Sequence, residues 1–386
     1  MPTVTLLSLL VALALPLAAQ TRPQVLHAAL GPELSTYKLD VNAATLEKIS
    51  AVTLPENVQE AWPHPTRRYL YVAWSNNTKG GHHGLTAFEV DAKTGALKQH
   101  GQPVTLPART VYLTLDIPGK HVICASNDPS GATVHRINAD GTLGSQVAQP
   151  SNLDFGVYAH QVRVDPTNRM VIIVARGNGP TAKTKEDPGA LKVYGYNDGV
   201  LSNRASIAPN GGYGFQPRHL EFHPSRSFAY ITVERQNKLQ AYRVIEGPSL
   251  KPEPLFTAET LVDVANIPKQ ATSSIHAHPN GQYLYVGNRG PAEGENSVAV
   301  YALNGETGEP TRIQNADTQG VHPRTFALDA TGRLLVVANM QRAGAAPPNL
   351  AVFRIGADGK LTFVRKYEHT DAGERSLFWT GILPLP

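Results

Sequence analysis

Six ionisable side chains stand out because each lies at one end of a short apolar segment. They are His160, Arg176, Arg218, Glu234, Arg289 and Arg324. A carboxylate or an imidazole can accept a proton, and guanidinium groups can stabilise negative charge that develops on oxygen. Ionisable groups are too costly to bury for packing alone. If the fold brings these side chains together, they can support acid–base or hydrolytic chemistry.

A repeat of about fifty residues positions these side chains. Each copy has a short apolar strand, a tight turn that often contains proline, a second apolar strand and a third, and often an Asp-Gly turn before a fourth. Asp-Gly between apolar segments is a strong hairpin signal. The turns are anchored at Pro65, Pro118, Pro166, Pro224, Pro279 and Ala330, with separations of 53, 48, 58, 55 and 51 residues.

This repeat predicts an all-β fold, a seven-bladed β-propeller with four antiparallel strands per blade. Six blades are explicit, and the seventh is split between the chain ends. Segments 25–30 and 35–39 supply its middle and outer strands, and segment 376–382 supplies its inner strand, which closes the ring. Stacked β-sandwiches would not explain a constant period through most of the chain. Residues 20–386 are therefore predicted to form a single domain.

Blade geometry indicates which side chains face a common pocket. The inner strand starts and the second strand ends at the same end of a blade, because the two form an antiparallel hairpin. Six residues before the anchors lie Gln59, Tyr112, His160, Arg218, Ser273 and Arg324, and ten after them lie Ser75, Asp128, Arg176, Glu234, Arg289 and Met340. The long connections that leave the second strands lie at this end, as expected of a binding rim.

Composition narrows the functional classes. The chain has 35 Lys and Arg against 31 Asp and Glu, with no basic block, so nucleic acid is excluded as a partner. Cys124 is the only cysteine, which excludes an intramolecular disulfide, and a buried inert thiol is expected.

The first residues predict export. From Met1 to Thr21 there is no charged side chain, and an apolar run ends in Leu17-Ala18-Ala19. The run is shorter than the ~20 residues of a spanning helix. Residues 1–19 are therefore predicted to be a cleaved signal peptide, with an uncleaved anchor as the alternative. The mature protein is expected to be periplasmic or secreted, with no membrane attachment.

Several motifs resemble those of the seven-bladed lactonase family. The resemblance is carried by segments 216–224 (QPRHLEFHP), 230–242 (YITVERQNKLQAY), 274–290 (SIHAHPNGQYLYVGNRG), 322–330 (HPRTFALDA) and 336–339 (VVAN). This family includes propeller-type 6-phosphogluconolactonases, periplasmic gluconolactonases and fungal carboxy-muconate cyclases. The resemblance covers nearly all of the chain after the signal segment. It implies an active site of His160, Arg218, Glu234 and Arg289, all of which the blade geometry also selects. Around His160 and before Glu234 the sequence departs from the family's usual Pro-His-Ser and Asn-Glu patterns.

Roles follow from the chemistry of lactone hydrolysis, which needs an activated water and a stabilised oxyanion. Glu234 is the expected general base, with His160 as a partner in that role, and Arg218 and Arg289 are the expected oxyanion and substrate-oxygen donors. The remaining expected substrate contacts are Gln59, Arg176, Ser273, Asn288 and Arg324. The alternative for Glu234 is a structural ion pair, and for His160 a core histidine.

No metal and no other cofactor is expected. Glu234 and Asp128 are too few oxygen ligands for Ca²⁺ or Mg²⁺. Neither His82-His83 nor His276-x-His278 supplies three converging zinc ligands, and His278 occupies the same turn position as His64 and His223. These histidines are therefore expected to be structural.

The leading functional hypothesis is a monomeric, metal-independent lactonase acting on a small sugar lactone such as glucono-1,5-lactone or 6-phosphogluconolactone. Export argues against a phosphorylated substrate, whereas four arginines in the pocket favour an anionic one. Two alternatives stay open: a cycloisomerase or lyase of the muconate type, and an exported propeller that binds without catalysis.

Overall fold

The computed structural model describes residues 22–247, 249–340 and 346–386. The predicted signal segment 1–19 lies outside the described residues. Within them the structure consists of strands with two short 3-10 helical turns, η1 (Pro209–Gly212) and η2 (Val264–Lys269). No described helix has the length and apolar character that a membrane span requires.

Seven antiparallel sheets carry the strands, one sheet per blade, with the inner strand given first for each blade. Blade 1 has β4 (Asn57–Pro63), β5 (Tyr69–Ser75), β6 (His83–Val90), β7 (Leu97–Gln99) and β8 (Val104–Thr105); blade 2 has β9 (Thr110–Leu115), β10 (His121–Asn127), β11 (Ser130–Ile137) and β12 (Leu143–Gln146); blade 3 has β13 (Ala159–Val164), β14 (Met170–Ala175), β15 (Ala190–Asn197) and β16 (Val200–Ile207).

The other four blades follow the same order. Blade 4 has β17 (Pro217–Phe222), β18 (Phe228–Val233), β19 (Lys238–Ile245), β20 (Ser249–Leu250) and β21 (Phe256–Glu259); blade 5 has β22 (Ala271–Ala277), β23 (Tyr283–Arg289), β24 (Ser297–Leu303) and β25 (Pro310–Asp317); blade 6 has β26 (Pro323–Leu328), β27 (Leu334–Asn339), β28 (Asn349–Ile355) and β29 (Leu361–Glu368); blade 7 has β30 (Leu377–Pro384), β1 (Gln24–Leu30), β2 (Glu33–Asp40) and β3 (Thr45–Thr53). The predicted fold class is confirmed.

Blade 7 closes the ring as predicted. The C-terminal strand β30 is the inner strand and pairs with β1 in antiparallel register, with Leu26 opposite Ile382. The N-terminal segment contributes three strands to this blade, since β3 pairs with β2 and lies outermost. The predicted strands of this blade correspond to β1, β2 and β30, whereas β3 was not predicted.

The core lies between the blades. Seven clusters of buried apolar side chains occur in the described residues, and each cluster joins two neighbouring sheets. Between blades 3 and 4, for example, Ile172 and Val174 pack against Leu220 and Ile231. Strands with both faces covered read as continuous apolar runs, and β14 (MVIIVA) is buried at every position.

Three turn histidines tie neighbouring blades together. The Nε2 atoms of His64, His223 and His278 lie 3.0, 2.7 and 2.8 Å from the carbonyl oxygens of Gly119, Gly281 and Gly332, each in the next blade. A carbonyl oxygen only accepts, so each Nε2 must carry the proton. The structural interpretation of these histidines is confirmed.

A β-bulge recurs at the same level of the inner strand in all seven blades. Pairing with the second strand skips one residue in six of them and two in blade 5. The skipped residues are Gln59, Val111, His160, Arg218, Ser273 with Ser274, Arg324 and Phe378. A bulge bends its strand and re-aims side chains. This repeated irregularity explains why two successive residues of one strand can both border the central channel.

Candidate functional site

Glu234 lies at the centre of the candidate site and contacts three arginines from three blades. Arg176 Nη1 donates a 3.2 Å hydrogen bond to Glu234 Oε2, and Arg289 Nη2 donates a short one to Oε1. Arg218 Nε lies 3.2 Å from Oε1, an ion-pair distance without hydrogen-bond geometry. The side chains of Arg218 and Glu234 are 1% and 6% exposed. The structure therefore brings together four of the predicted site residues.

These positions follow from the repeat. Glu234 and Arg176 directly follow β18 and β14, and Arg289 is the last residue of β23, so all three lie at the same end of a second strand. Arg218 is the bulged residue of β17. The strand ends of blades 3, 4 and 5 thus meet at one mouth of the channel.

The electrostatics of the cluster favour an ionised carboxylate. Burial on its own would raise the pKa of Glu234, but Arg289, Arg218 and Arg176 outweigh it and lower the pKa to about 2. Burial, followed by Arg289, lowers the pKa of Arg218, and Glu234 opposes that change. Three guanidinium groups around one carboxylate leave excess positive charge, which suits a developing oxyanion or an anionic ligand.

His160 lies beside this cluster, as the bulged residue of β13. Its ring centroid is 5.2 Å from that of His219, and its ring stacks on Tyr158 at 6.2 Å. Its Nδ1 atom is buried with no hydrogen-bond partner among the described residues. Burial, followed by Arg218, holds the pKa of His160 well below its usual range, so the imidazole is neutral at neutral pH. A neutral ring can accept a proton.

Arg324 and Gln59 border the same mouth of the channel. The guanidinium of Arg324 lies 3.7 Å from the ring centroid of Phe378. Burial, followed by Arg289 and Arg109, lowers the pKa of Arg324, but an arginine side chain stays protonated through the neutral and mildly alkaline range. Gln59 Oε1 accepts a 2.8 Å hydrogen bond from Arg109 Nε, so Gln59 positions a fifth arginine.

Two of the predicted substrate contacts are packed away from the channel in this structure. The amide of Asn288 donates to Thr260 O at 2.7 Å and to Ser297 Oγ at 3.1 Å, and Asn288 is fully buried. Ser273 is also fully buried, with its hydroxyl so close to Gly287 that a Cβ there would lie 2.1 Å from Oγ. Both side chains therefore pack within the blade. The position of a residue along its strand, which is all that the count predicts, does not determine the direction of its side chain.

The predicted register in blade 2 is wrong by one residue. In the other five explicit blades, the anchor residue directly follows a His or an Asp that comes just after the inner strand. In blade 2 the residue that directly follows Asp116 is Ile117, and the proline used as the anchor, Pro118, comes one residue later. The bulged residue is therefore Val111, and Tyr112 lies one level deeper, against Trp62 and His219. Asp128 lies in an exposed turn, 3.2 Å from Lys79 Nζ.

The residues directly after the bulges also border the channel, and the sequence reading missed them. They include Glu60, Gln161 and His219. Arg109 and His322 lie at the rim, where Arg289 Nη1 donates to His322 Nε2 at 3.3 Å. Counting one residue further along each inner strand would have found Glu60 and His219.

Below the arginine cluster the channel holds a cavity of about 790 Å³. Arg163 of blade 3 makes a bidentate pair with Glu221 of the neighbouring blade 4 on the wall of this cavity, at 2.9 and 3.3 Å, and lies over Trp62. This pair neutralises its own charges, in contrast to the positive cluster above. In the described part of the chain, no three His, Cys, Asp or Glu side chains are grouped so that they could hold a metal ion.

The fold and the site define a seven-bladed propeller with an arginine-rich pocket around a carboxylate at one mouth of its channel. The chain belongs to the family described as "Lactonase, 7-bladed beta-propeller", whose model matches residues 26–377. This confirms the predicted family and, with it, the predicted class of enzyme.

Named relatives are similar over most of the chain. A 6-phosphogluconolactonase of Serratia proteamaculans is 25% identical over 331 residues, covering 84% of this chain and 89% of the relative. A 6-phosphogluconolactonase of Bacillus subtilis is 27% identical over 318 residues, covering 78% of this chain and 81% of the relative. The structure of a periplasmic gluconolactonase of Pseudomonas aeruginosa superposes with a TM-score of 0.71 at 21% identity, covering 94% of this chain and all of that one.

Proposed function

We propose that this protein hydrolyses a sugar lactone of the glucono-1,5-lactone or 6-phosphogluconolactone type, without a metal ion. The observation that carries the proposal is the ionised Glu234 held among Arg176, Arg218 and Arg289 at the channel mouth. The named activities of the relatives support the same reaction. A small cyclic ester fits a concave, polar site at the centre of a rigid ring.

In the proposed reaction, water attacks the lactone carbonyl and its oxygen forms a bond to carbon. Arg218 and Arg289 donate hydrogen bonds to the oxyanion that develops. Glu234 or neutral His160 accepts the proton that the water loses. The bond from the carbonyl carbon to the ring oxygen then breaks, and the ring oxygen takes up a proton to give the hydroxy acid.

The arginines link oxyanion stabilisation to proton transfer. While all three guanidinium groups hold Glu234, its pKa is about 2 and it is a weak base. When Arg218 and Arg289 donate hydrogen bonds to the carbonyl oxygen, their electrostatic hold on Glu234 weakens. The carboxylate then becomes more basic at the stage when a proton must be accepted.

The test is proton release at neutral pH with glucono-1,5-lactone, 6-phosphogluconolactone and a muconolactone, with the spontaneous rate subtracted. We expect acceleration of a sugar lactone that EDTA does not change. No acceleration of any lactone contradicts the proposal. Loss of activity with EDTA contradicts metal independence, and activity on the muconolactone alone favours the cycloisomerase alternative.

We also propose that the protein is exported. The uncharged apolar segment 1–19 supports this, as does the likeness to a periplasmic gluconolactonase. The N-terminal sequence of the mature protein purified from its source tests it, and a chain that keeps Met1 contradicts cleavage.

A further inference from the structure

The polar groups of the channel mouth form two halves. The first half, His160, Arg218, Glu234 and Arg289, lies on blades 3, 4 and 5. The second half lies on blades 6, 7 and 1: Arg324 stacks on Phe378 at the mouth, and Glu60 and Trp379, the residues directly after the bulges, lie one level deeper in the channel. In a ring of seven blades, blade 4 lies opposite blades 7 and 1. A ligand in the centre is therefore contacted from both sides.

The closing strand β30 organises the second half. Phe378 forms the platform on which Arg324 stacks, at 3.7 Å. The next residue, Trp379, donates a short hydrogen bond from Nε1 to Glu60 Oε1, and the backbone N of Ala61 donates to the same oxygen at 3.3 Å. The Glu60 side chain lines the channel cavity. Two adjacent residues of β30 thus hold the guanidinium of Arg324 and the carboxyl group of Glu60, and these two groups act on each other electrostatically.

Arg324 has no carboxylate at ion-pair distance among the described residues. The segments 1–21, 248 and 341–345 contain no Asp or Glu, so none of them can supply one. The charged and titratable groups that interact with Glu60 are Arg324 and Arg218, and Glu60 in turn acts on Tyr112. Glu60 is therefore the nearest candidate for a counter-ion of Arg324.

Glu60 does not serve as that counter-ion at neutral pH. Burial raises the pKa of Glu60 to about 8, against the opposing effects of the Trp379 hydrogen bond, Arg324 and Arg218. The interaction is reciprocal, because an ionised Glu60 raises the pKa of Arg324. At pH 7 the Glu60 carboxyl is mostly neutral, and the charge of Arg324 is left for a ligand.

We propose that Glu60 determines substrate specificity: as a neutral acid it leaves Arg324 available to an anionic substituent of the lactone, and as a carboxylate it pairs with Arg324 and weakens that binding. Glu60 is a positioning residue, since it acts through Arg324. The proposal rests on the proposed lactonase function.

The experiment compares an anionic and a neutral substrate, 6-phosphogluconolactone and glucono-1,5-lactone, between pH 7 and 9. A phosphate monoester has its second pKa near 6 and stays a dianion over this range. For the wild type we expect the ratio of kcat/KM, anionic over neutral, to fall by about tenfold, with KM of the anionic substrate carrying the change. Glu60→Gln keeps an acceptor for Trp379 but cannot ionise, so its ratio should stay high at pH 9.

Glu89→Gln is the matched control, because Glu89 is an exposed carboxylate on β6 of the same blade, and it should behave as the wild type. An equal fall of the ratio in Glu60→Gln and the wild type overturns the proposal, and so does a constant wild-type ratio.

Binding of 6-phosphogluconate, measured by calorimetry at pH 7 and 9, separates this inference from the proposed function. About tenfold weaker binding at pH 9, in the wild type but not in Glu60→Gln, supports the inference even if no lactone is hydrolysed. Affinity that is equal at both pH values, or no binding in either protein, overturns it.

Discussion

Glu234 carries one negative charge among three guanidinium groups, and this balance limits the chemistry that it can do alone. A carboxylate with a pKa of about 2 stays ionised through the neutral range, so its protonation cannot limit activity there. Its basicity depends on how strongly the arginines hold it, which changes when they bind another oxygen. In the proposed reaction His160, neutral and with an unpartnered Nδ1, is the second candidate proton acceptor of the cluster.

Glu234→Gln should reduce kcat by roughly 10²- to 10⁴-fold with a smaller change in KM, because the amide cannot accept a proton but keeps much of the shape. Steady-state proton release with the accepted lactone measures this. Glu246→Gln, at an exposed position of a hairpin turn, is the control and should match the wild type. An unchanged kcat would remove Glu234 from the mechanism and leave it as a structural ion pair.

Asn288→Ala should lower stability rather than activity. The substitution removes the buried donors to Thr260 O and Ser297 Oγ, and the amide of Asn315 is then the remaining side-chain donor to both acceptors. The expected cost is about 1–3 kcal/mol in the free energy of unfolding, measured by urea denaturation. A large loss of kcat/KM at unchanged stability would instead return Asn288 to the substrate contacts.

At the residue scale, the sequence predicted which residues lie at the end of a strand better than it predicted where their side chains point. Arg218, Glu234 and Arg289 were found because strand ends of successive blades must meet at one mouth of a propeller. Ser273 satisfied the same count and Asn288 is the neighbour of Arg289, but their side chains pack within the blade. Asn339, at the corresponding position of blade 6, makes the same kind of bond to Thr318 O. The same buried amide bond in two blades indicates a structural role for this asparagine position.

At the scale of the strand, the recurring bulge is the device that builds the pocket. A regular strand would send successive side chains to opposite faces. The bulge lets Arg218 reach Glu234 while His219, the next residue, borders the channel beside His160. In blades 3 and 4 the irregularity therefore allows two successive side chains of one inner strand to face the channel.

The turn between β17 and β18 gives a prediction at this scale. His223→Ala removes the bond from His223 Nε2 to Gly281 O, which ties blade 4 to blade 5. Because this turn lies at the opposite end of the strand from Arg218, kcat should not change. We expect a loss of about 0.5–1.5 kcal/mol in the free energy of unfolding by urea denaturation. A fall in kcat at full stability would show that the turn communicates with the site.

The elements were predictable where local pattern and repeat agreed. The apolar runs of β14, β18 and β27 could be read directly, because both faces of these strands are covered by neighbouring blades. The register predicted for blade 2 is wrong because Pro118 lies one residue later in its turn than the anchor residues of the other blades. The strand β3 was missed because most of its side chains are exposed, which leaves no apolar run to read.

At the scale of the whole molecule, the two carboxyl groups of the channel give opposite pH dependences of stability. The pKa of Glu234 is lowered from 4.5 to about 2, so its contribution is present above about pH 4.5 and is lost as the pH falls through 2. The pKa of Glu60 is raised from 4.5 to about 8, so the folded protein holds a proton that the unfolded chain releases. Its contribution is present below about pH 4.5 and is lost as the pH rises through 8.

Glu60→Gln should therefore gain stability relative to the wild type as the pH rises from 5 to 8.5, because the amide cannot lose a proton inside the fold. Urea denaturation of both proteins at the two pH values measures the difference, with Glu89→Gln as the control. A difference that is the same at pH 5 and pH 8.5 would contradict the raised pKa of Glu60.

Ring closure gives the last prediction. Strand β30 contributes Trp379 and Leu383 to the core between blades 7 and 1, and Leu377 to the core between blades 6 and 7. Removing residues 377–386 opens both interfaces and takes away the supports of Arg324 and Glu60. We expect loss of the cooperative thermal transition and strong binding of a hydrophobic dye.

A circular permutant distinguishes the effect of losing strand β30 from the effect of moving the chain ends. The backbone N of Leu385 donates to Pro23 O at 2.9 Å, so a short linker can join Pro386 to Arg22 in a protein that lacks residues 1–21. The new chain ends can be placed in the connection between β3 and β4. All strands of blade 7 are then continuous in sequence. This permutant should unfold cooperatively and keep activity, because every interface is retained. If it fails as the truncation does, the order of the chain and not the presence of β30 determines closure.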